Sequence, residues 1–288
     1  MSATQLNQAE AATTTAEAQS DFAALLNREF KPKSDKAREA VQSAVQTLAH
    51  QALANTALIS DDSIRSIEAM IAAIDAKLTE QINLIIHHPD FQGLESAWRG
   101  LHHLVNNTET DEFLKIKVMN ISKKEVGKTL KKFRGTAWDQ SPIFKKIYEE
   151  EYGQFGGEPF GLLVGDYYFD HSPQDTQLLG DMAQIAAAAH APFLAAAAPT
   201  VMQMDSWSEL ANPRDLTKIF QTPEYAAWRS LRESEDSRYL GLCMPRFLAR
   251  LPYGAKTEPV EEFAFEEDTS GGDSEKYTWC NSAYAMAT

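Results

Sequence analysis

The chain has 288 residues, 43% of them hydrophobic and 10% aromatic, so it is long enough to bury one large core or two medium ones. Its formal net charge of −14, from 41 acidic and 27 basic side chains, argues against nucleic acid or an anionic membrane surface as a partner. No apolar run approaches the ~20 residues that span a bilayer, and no signal peptide is predicted at the start. The two cysteines, Cys243 and Cys280, suit a reducing cytoplasm.

The first 33 residues divide into two segments. Residues 1–20 are rich in Ala, Thr and Gln and are predicted to be disordered. Residues 21–33 are predicted to form an amphipathic helix, with apolar anchors at Phe22, Leu25, Leu26 and Phe30. So short a helix is unstable alone in water. It either packs on its own domain or docks into the groove of a partner protein.

Residues 34–107 are predicted to be a helical region. Its strongest helix follows Ser63, with Ile or Leu every three or four positions as far as Ile85. Pro89 lacks an N–H and cannot continue that helix, so a second helix is expected to begin at Pro89 or Asp90. The second helix carries an apolar stripe that is predicted to be its buried core face: Phe91, Leu94, Trp98, Leu101 and Val105.

Residues 108–254 alternate between strand and helix patterns. A strand is predicted at 114–118, where apolar residues alternate with lysines. The capping box Ser122–Glu125 predicts a helix as far as about Phe133, and Ser141–Pro142 predicts another. Later strands are expected at 160–164, 193–198 and 239–244, with helices at about 174–190, 208–220 and 223–232. This order predicts an α/β fold, with α+β as an alternative: a helical front followed by a mixed sheet whose apolar strands pair in parallel.

Residues 255–288 have a different character. They begin with an acidic segment that contains turn residues and is predicted to be an insertion loop. The chain then stops soon after the core-like Trp279, rather than in a polar tail. This stretch is therefore expected to be the start of a truncated C-terminal part, with a further portion absent.

The best case for an enzyme uses acidic groups at strand ends. Asp166, Asp170 and His171 follow the strand predicted at 160–164, and Asp205 follows the strand at 193–198. Ligand sites of parallel sheets lie at such ends, where three carboxylates could hold a divalent metal for hydrolysis. Their spacing matches no metal motif, and Asp is common in turns. No catalytic residue, metal or cofactor is therefore predicted, and a metal-dependent hydrolase remains the alternative.

A dense group of mixed charges follows residue 212. Its members are Arg214, Arg229, Arg232, Glu233, Glu235, Asp236 and Arg238. One interpretation is a solvated helix face, in which each pair contributes less than about 1 kcal/mol. The other is an assembly interface, for which the bidentate geometry of Arg is well suited.

Four stretches of the sequence resemble the large subunit of the type VI secretion contractile sheath, the TssC or VipB family. They are HHPDFQGLESAWRGLHHLV at 87–105, VGDYYFD at 164–170, the run at 212–254, and WCNSAY at 279–284. They occur in the family's order and span about two thirds of the chain. Large subunits of this family are longer than this chain, in agreement with the expected missing portion.

The resemblance implies a structural protein of the bacterial cytoplasm rather than an enzyme. It would pair with a TssB/VipA-like small sheath subunit, and further copies of the heterodimer would polymerise helically, from a baseplate, around an inner tube of Hcp. Contraction would propel that tube, and a ClpV-type ATPase would dismantle the contracted sheath. By position, Phe22, Leu25, Leu26 and Phe30 would be the anchors for the ATPase. A soluble adaptor that never polymerises is a further alternative.

Overall fold

A computed structural model describes residues 63–211 and 216–288, together with the isolated positions Lys36, Glu39, Ala40 and Ser43. The predicted helix at 21–33, with Phe22, Leu25, Leu26 and Phe30, lies outside the described residues, as does Arg214. The chain forms two compact units. One contains the residues up to Asn83 together with Gly254–Glu266, and the other contains Leu84–Tyr253 and Glu267–Thr288.

Two long helices open the described part, α1 at Ser63–Ile86 and α2 at Pro89–Asn106. The predicted break before Pro89 is confirmed. His88 caps α2, because its Nδ1 accepts a hydrogen bond from the Asp90 N–H at 3.3 Å. The Asp90 carboxylate in the first turn is favoured by the positive end of the helix dipole.

The prediction that α2 buries its apolar stripe is wrong. The exposed fractions are 40% for Phe91, 58% for Leu94, 66% for Trp98 and 44% for Val105, and Leu101 is only partly buried. Helical periodicity predicts that a stripe exists, but it does not predict which side of the helix is covered.

Another row of α2, spaced four and three residues apart, faces the interior of its unit instead. Ser96 Oγ donates to the Trp279 carbonyl at 2.6 Å, and the His103 ring lies 5.2 Å from the Phe247 ring. Between them, a Cβ on Gly100 would lie 2.5 Å from the Tyr284 ring. Only glycine permits this approach. The row of small and polar residues on α2 therefore packs inward, and the apolar stripe faces outward.

The next helix, α3 at Lys123–Lys132, begins at the predicted capping box. Ser122 Oγ accepts from the Glu125 N–H at 3.3 Å, and the Glu125 carboxylate accepts from the Ser122 N–H at 2.9 Å. The helix buries Val126 and Leu130. A single turn, α4 at Pro142–Phe144, follows Ser141 and continues as a wider helical turn through Lys145–Glu149.

Three parallel strands form the main sheet in the order β1-β2-β3, and they confirm the predicted α/β fold. Leu163 pairs with Phe193, and Phe193 pairs with Leu240. The strands are β1 at Leu163–Phe169, β2 at Phe193–Ala197 and β3 at Leu240–Cys243. The crossover helices are α5 at Pro173–Ala189, α6 at Leu216–Ile219 and α7 at Ala226–Glu233.

Two strand predictions need correction. The strand predicted at 160–164 begins and ends later, at Leu163–Phe169. The reason is that this stretch makes its first backbone hydrogen bond to the segment that leads into β2 at Leu163, whose N–H donates to the Pro192 carbonyl at 2.8 Å. The segment predicted as a strand at 114–118 pairs with no other strand within the described ranges. Alternation of apolar and polar residues suits the two faces of a strand, but a strand also needs a neighbouring strand that hydrogen-bonds to its backbone.

The end of the chain packs into the second unit. A two-stranded antiparallel pair, β4 at Phe247–Leu248 and β5 at Trp279–Cys280, precedes helix α8 at Ser282–Ala287. Between β5 and α8 lies Asn281, which is fully buried and donates from its side-chain amide to the Tyr167 carbonyl at 3.2 Å. None of the helices in the described ranges has the length and apolar character to cross a membrane.

Candidate functional site

A buried charge network lies beneath α2. Arg250 Nε donates to Glu95 Oε1 at 2.7 Å, and Arg250 Nη1 and Nη2 donate to the two oxygens of Glu267 at 2.5 and 3.2 Å. The side chains of Arg250 and Glu267 are only 4% and 1% exposed. One guanidinium therefore bridges α2 to the segment that follows residue 266.

Neighbouring groups give the two carboxylates further hydrogen-bond donors. Glu95 also accepts from Arg99 Nε at 2.8 Å and from Thr278 Oγ1 at 2.9 Å. Glu267 accepts from the Tyr253 N–H at 2.9 Å, and the Arg250 guanidinium lies 4.2 Å from the centre of the Tyr253 ring. The carboxylates are thus held by donors on several sides.

Hydrogen bonding favours the charged forms of Glu95 and Arg250. Burial alone would raise the pKa of the Glu95 carboxyl, but hydrogen bonds from Arg250, Arg99 and Thr278 outweigh it and hold that pKa below its usual value. For Arg250, bonds to the two carboxylates outweigh burial and raise its pKa. These bonds hold Glu95 and Arg250 in their charged forms and tie α2 to the segments that carry Arg250 and Thr278.

The side of α2 opposite the row of Ser96, Gly100 and His103 presents what we call the α2 apolar surface: Phe91, Leu94, Trp98 and Val105. Beside it is an open depression of about 430 Å³, lined by Glu95, Trp98, Arg99 and His102. Contiguous exposed apolar side chains on a rigid element are typical of protein interaction sites.

The structure does not bring together the three carboxylates of the hydrolase alternative, Asp166, Asp170 and Asp205. Asp166 lies within β1 rather than after it, and its carboxylate contacts Asn281 and Tyr284. Burial raises the pKa of Asp166 despite these two hydrogen bonds. Asp170 accepts from the Ser172 N–H at 2.8 Å, whereas Asp205 is exposed. In the part of the chain that the structure describes, no group of three or more His, Cys, Asp or Glu side chains could hold a metal ion.

The predicted interface charges have different surroundings. The Arg229 guanidinium donates to the carbonyls of Phe220 and Thr222, at 2.9 and 2.7 Å, so it holds the turn before α7. Glu235 and Arg238 form a loose, exposed pair at 3.9 Å. Arg232 and Glu233 are exposed as well, and remain candidates for an interface.

Sequence reasoning missed the Glu95–Arg250–Glu267 network. One signal was present, since Arg250 interrupts the apolar run Phe247–Leu251. A charge in such a run indicates a buried partner, because an unpaired charge would be too costly to bury. The identity of the partner was not predictable, because Glu95 lies 155 positions away.

Two comparisons with known proteins agree. Residues 68–288 match the family model described as VipB: EvpB/VC_A0108, tail sheath N-terminal domain. The chain is also 76% identical over 274 residues to the type VI secretion system sheath protein TssC1 of Pseudomonas aeruginosa strain PAO1. That match covers 95% of this chain and 55% of TssC1, so the chain spans about half the length of this relative. The chain belongs to the VipB family of tail sheath proteins.

Proposed function

We propose that the complete gene product is the large structural subunit of a type VI secretion contractile sheath in the bacterial cytoplasm. It pairs with the small sheath subunit, and the heterodimers polymerise around an inner Hcp tube above a baseplate. Membership of the sheath family and the similarity to TssC1 support this proposal. The observation that carries it is the α2 apolar surface, which we assign to contact with the small subunit.

The buried network explains why that surface stays exposed. Turning α2 to bury Trp98 and Leu94 would pull Glu95 away from Arg250. Loss of the hydrogen bonds between these charged groups would cost about 1.5–3 kcal/mol each, although Arg250 would keep its bonds to Glu267. The helix is therefore fixed with its apolar stripe outward, ready to be covered by another protein.

Sheath function requires no active site in this chain. A polymer that has two packings of the same subunits releases the free-energy difference between them when it contracts. The chain contributes rigid elements and contact surfaces to that change. Dismantling the contracted sheath needs a separate source of energy. We propose that a ClpV-type ATPase supplies it and that this ATPase recognises residues 21–33.

Electron microscopy of the complete gene product, co-expressed with its small sheath subunit, tests the proposal. We expect the two proteins to co-purify and to form hollow tubules. Stable heterodimers that never form tubules would favour the adaptor alternative. Failure of the two proteins to associate would contradict the sheath assignment.

A further inference from the structure

The basic residues of this acidic protein are concentrated in one short stretch. Residues 115–134 contain seven lysines, one arginine and a single acid, Glu125, although the whole chain has a net charge of −14. Half of these cations have carboxylate partners. The pairs are Lys115–Glu158, Lys117–Glu151, Lys123–Asp175 and Arg134–Asp181.

The other four cations form what we call the α3 lysine face: Lys124, Lys128, Lys131 and Lys132. All four are exposed, and within the described ranges no carboxylate lies at ion-pair distance from any of them. Spacings of four and three residues place them on one side of α3. Val126 and Leu130, the residues that α3 buries, lie on the opposite side.

The positions of Lys124 and Lys128 destabilise helix α3. Lys124 and Lys128 are like charges four residues apart, which repel each other on a helix surface. Lys124 also lies in the first turn, next to the positive end of the helix dipole. Contacts among the residues that the structure describes therefore do not account for these two lysines, whereas a negatively charged partner would.

We infer that the α3 lysine face docks on the acidic segment Glu258–Glu262 of a second copy of this chain. The carboxylates of that segment are Glu258, Glu261 and Glu262. All three are exposed, and none has an ion-pair partner among the described residues. Of the acids that follow, Glu266 accepts from the Ala255 N–H at 3.0 Å, Glu267 pairs with Arg250, and Asp268 pairs with Lys276.

A contact of this kind suits a polymer. The lysine face and the acidic segment are different surfaces of one chain, so their contact is head-to-tail and can repeat indefinitely along a helical assembly. Each exposed pair contributes little and is screened by salt, so the contact is weak in one copy and salt-sensitive. The inference rests on the proposed function, because only a polymer brings successive copies together.

Charge reversal in the complete gene product, co-expressed with the small subunit, tests the contact. The variants are K124E/K128E, E261K/E262K and the combination of the two, which restores the original net charge. K145E/K146E is the matched control, since it changes the net charge as much as K124E/K128E does. The measurement is the fraction of protein that sediments as tubules across a series of salt concentrations, with heterodimer yield as the check on folding.

We expect each pair of reversals to reduce the sedimenting fraction at low salt by about tenfold. The control should retain wild-type assembly, and the combined variant should recover most of it. A K124E/K128E variant that behaves like the control, or a combined variant that fails to recover, would overturn the docking inference and leave the sheath assignment intact. Wild-type protein that never forms tubules would overturn both.

Discussion

At the scale of single residues, two half-buried acids show how the environment decides the role of a charge. Glu95 accepts hydrogen bonds from Arg250, Arg99 and Thr278, and these lower its pKa although burial opposes them. For Asp166, burial raises the pKa by more than the neutral side chains of Asn281 and Tyr284 lower it, so that pKa lies above its usual value. The first acid stabilises the fold as a carboxylate, whereas the second is held in the fold at a cost when it is ionised.

Arg250→Met is expected to destabilise the protein by about 3–5 kcal/mol, because it leaves the buried carboxylate of Glu267 without its cation and leaves Glu95 with the Arg99 cation alone. Urea unfolding monitored by circular dichroism measures the loss. Arg246→Met is the control, since Arg246 pairs with the exposed Glu275 and its loss should cost about 1 kcal/mol or less. Equal stability of the two variants would show that the network does not hold α2.

Asp166→Asn is expected to raise stability at pH 7. The folded-state pKa of Asp166 lies above its unfolded value, so ionisation costs stability as the pH rises from about 4 through the folded pKa. Asparagine keeps the size and polarity of the side chain without that charge. Urea unfolding at pH 7 and at about pH 4 should show an advantage for the variant only at the higher pH. A variant that is less stable at pH 7 would indicate that the charge itself is needed.

At the scale of elements, α2 is held by a close approach as well as by charge. Gly100→Ala should destabilise the protein by about 1–3 kcal/mol, because the new Cβ would lie 2.5 Å from the Tyr284 ring. Gly93→Ala, on the same helix, meets nothing within 4 Å and should be neutral or stabilising by up to about 1 kcal/mol. Thermal unfolding of the two variants checks the contrast, and a similar effect at both positions would contradict the packing of α2 on α8.

The elements that local chemistry specifies were predictable from the sequence. Pro89 marks the start of α2, the Ser122–Glu125 capping box marks the start of α3, and the apolar strands pair in parallel as expected. The covered side of α2 was not predictable, because it depends on Tyr284 and Arg250, which lie more than 150 positions along the chain from the residues they contact. The alternation at 114–118 likewise predicted a strand, but it did not show that this segment pairs with no other strand in the described ranges.

At the scale of the whole molecule, assembly and disassembly should use different parts of the chain. Replacing both Leu25 and Leu26 by Asp would put two charges into the segment that we propose docks in an apolar groove, and should weaken binding by several kcal/mol. We expect tubules to assemble and contract normally while binding of the ClpV-type ATPase is lost. Electron microscopy and co-sedimentation with the ATPase report the two steps separately. Loss of assembly itself would show that residues 21–33 are needed for the fold.

The central claim is that the α2 apolar surface binds the small sheath subunit. The most direct test is the amount of small subunit that co-purifies with a Leu94→Ser/Trp98→Ser variant of the complete gene product. Both side chains are more than half exposed. In the absence of the small subunit, the free energy of unfolding of the variant should therefore differ from that of the wild type by about 1 kcal/mol or less.

Phe113→Ser/Val118→Ser is the matched control, because it removes two exposed apolar side chains from a different segment of the same unit. We predict that the α2 variant loses the small subunit and forms no tubules, while the control keeps both. Wild-type co-purification and normal tubules from the α2 variant would contradict the account.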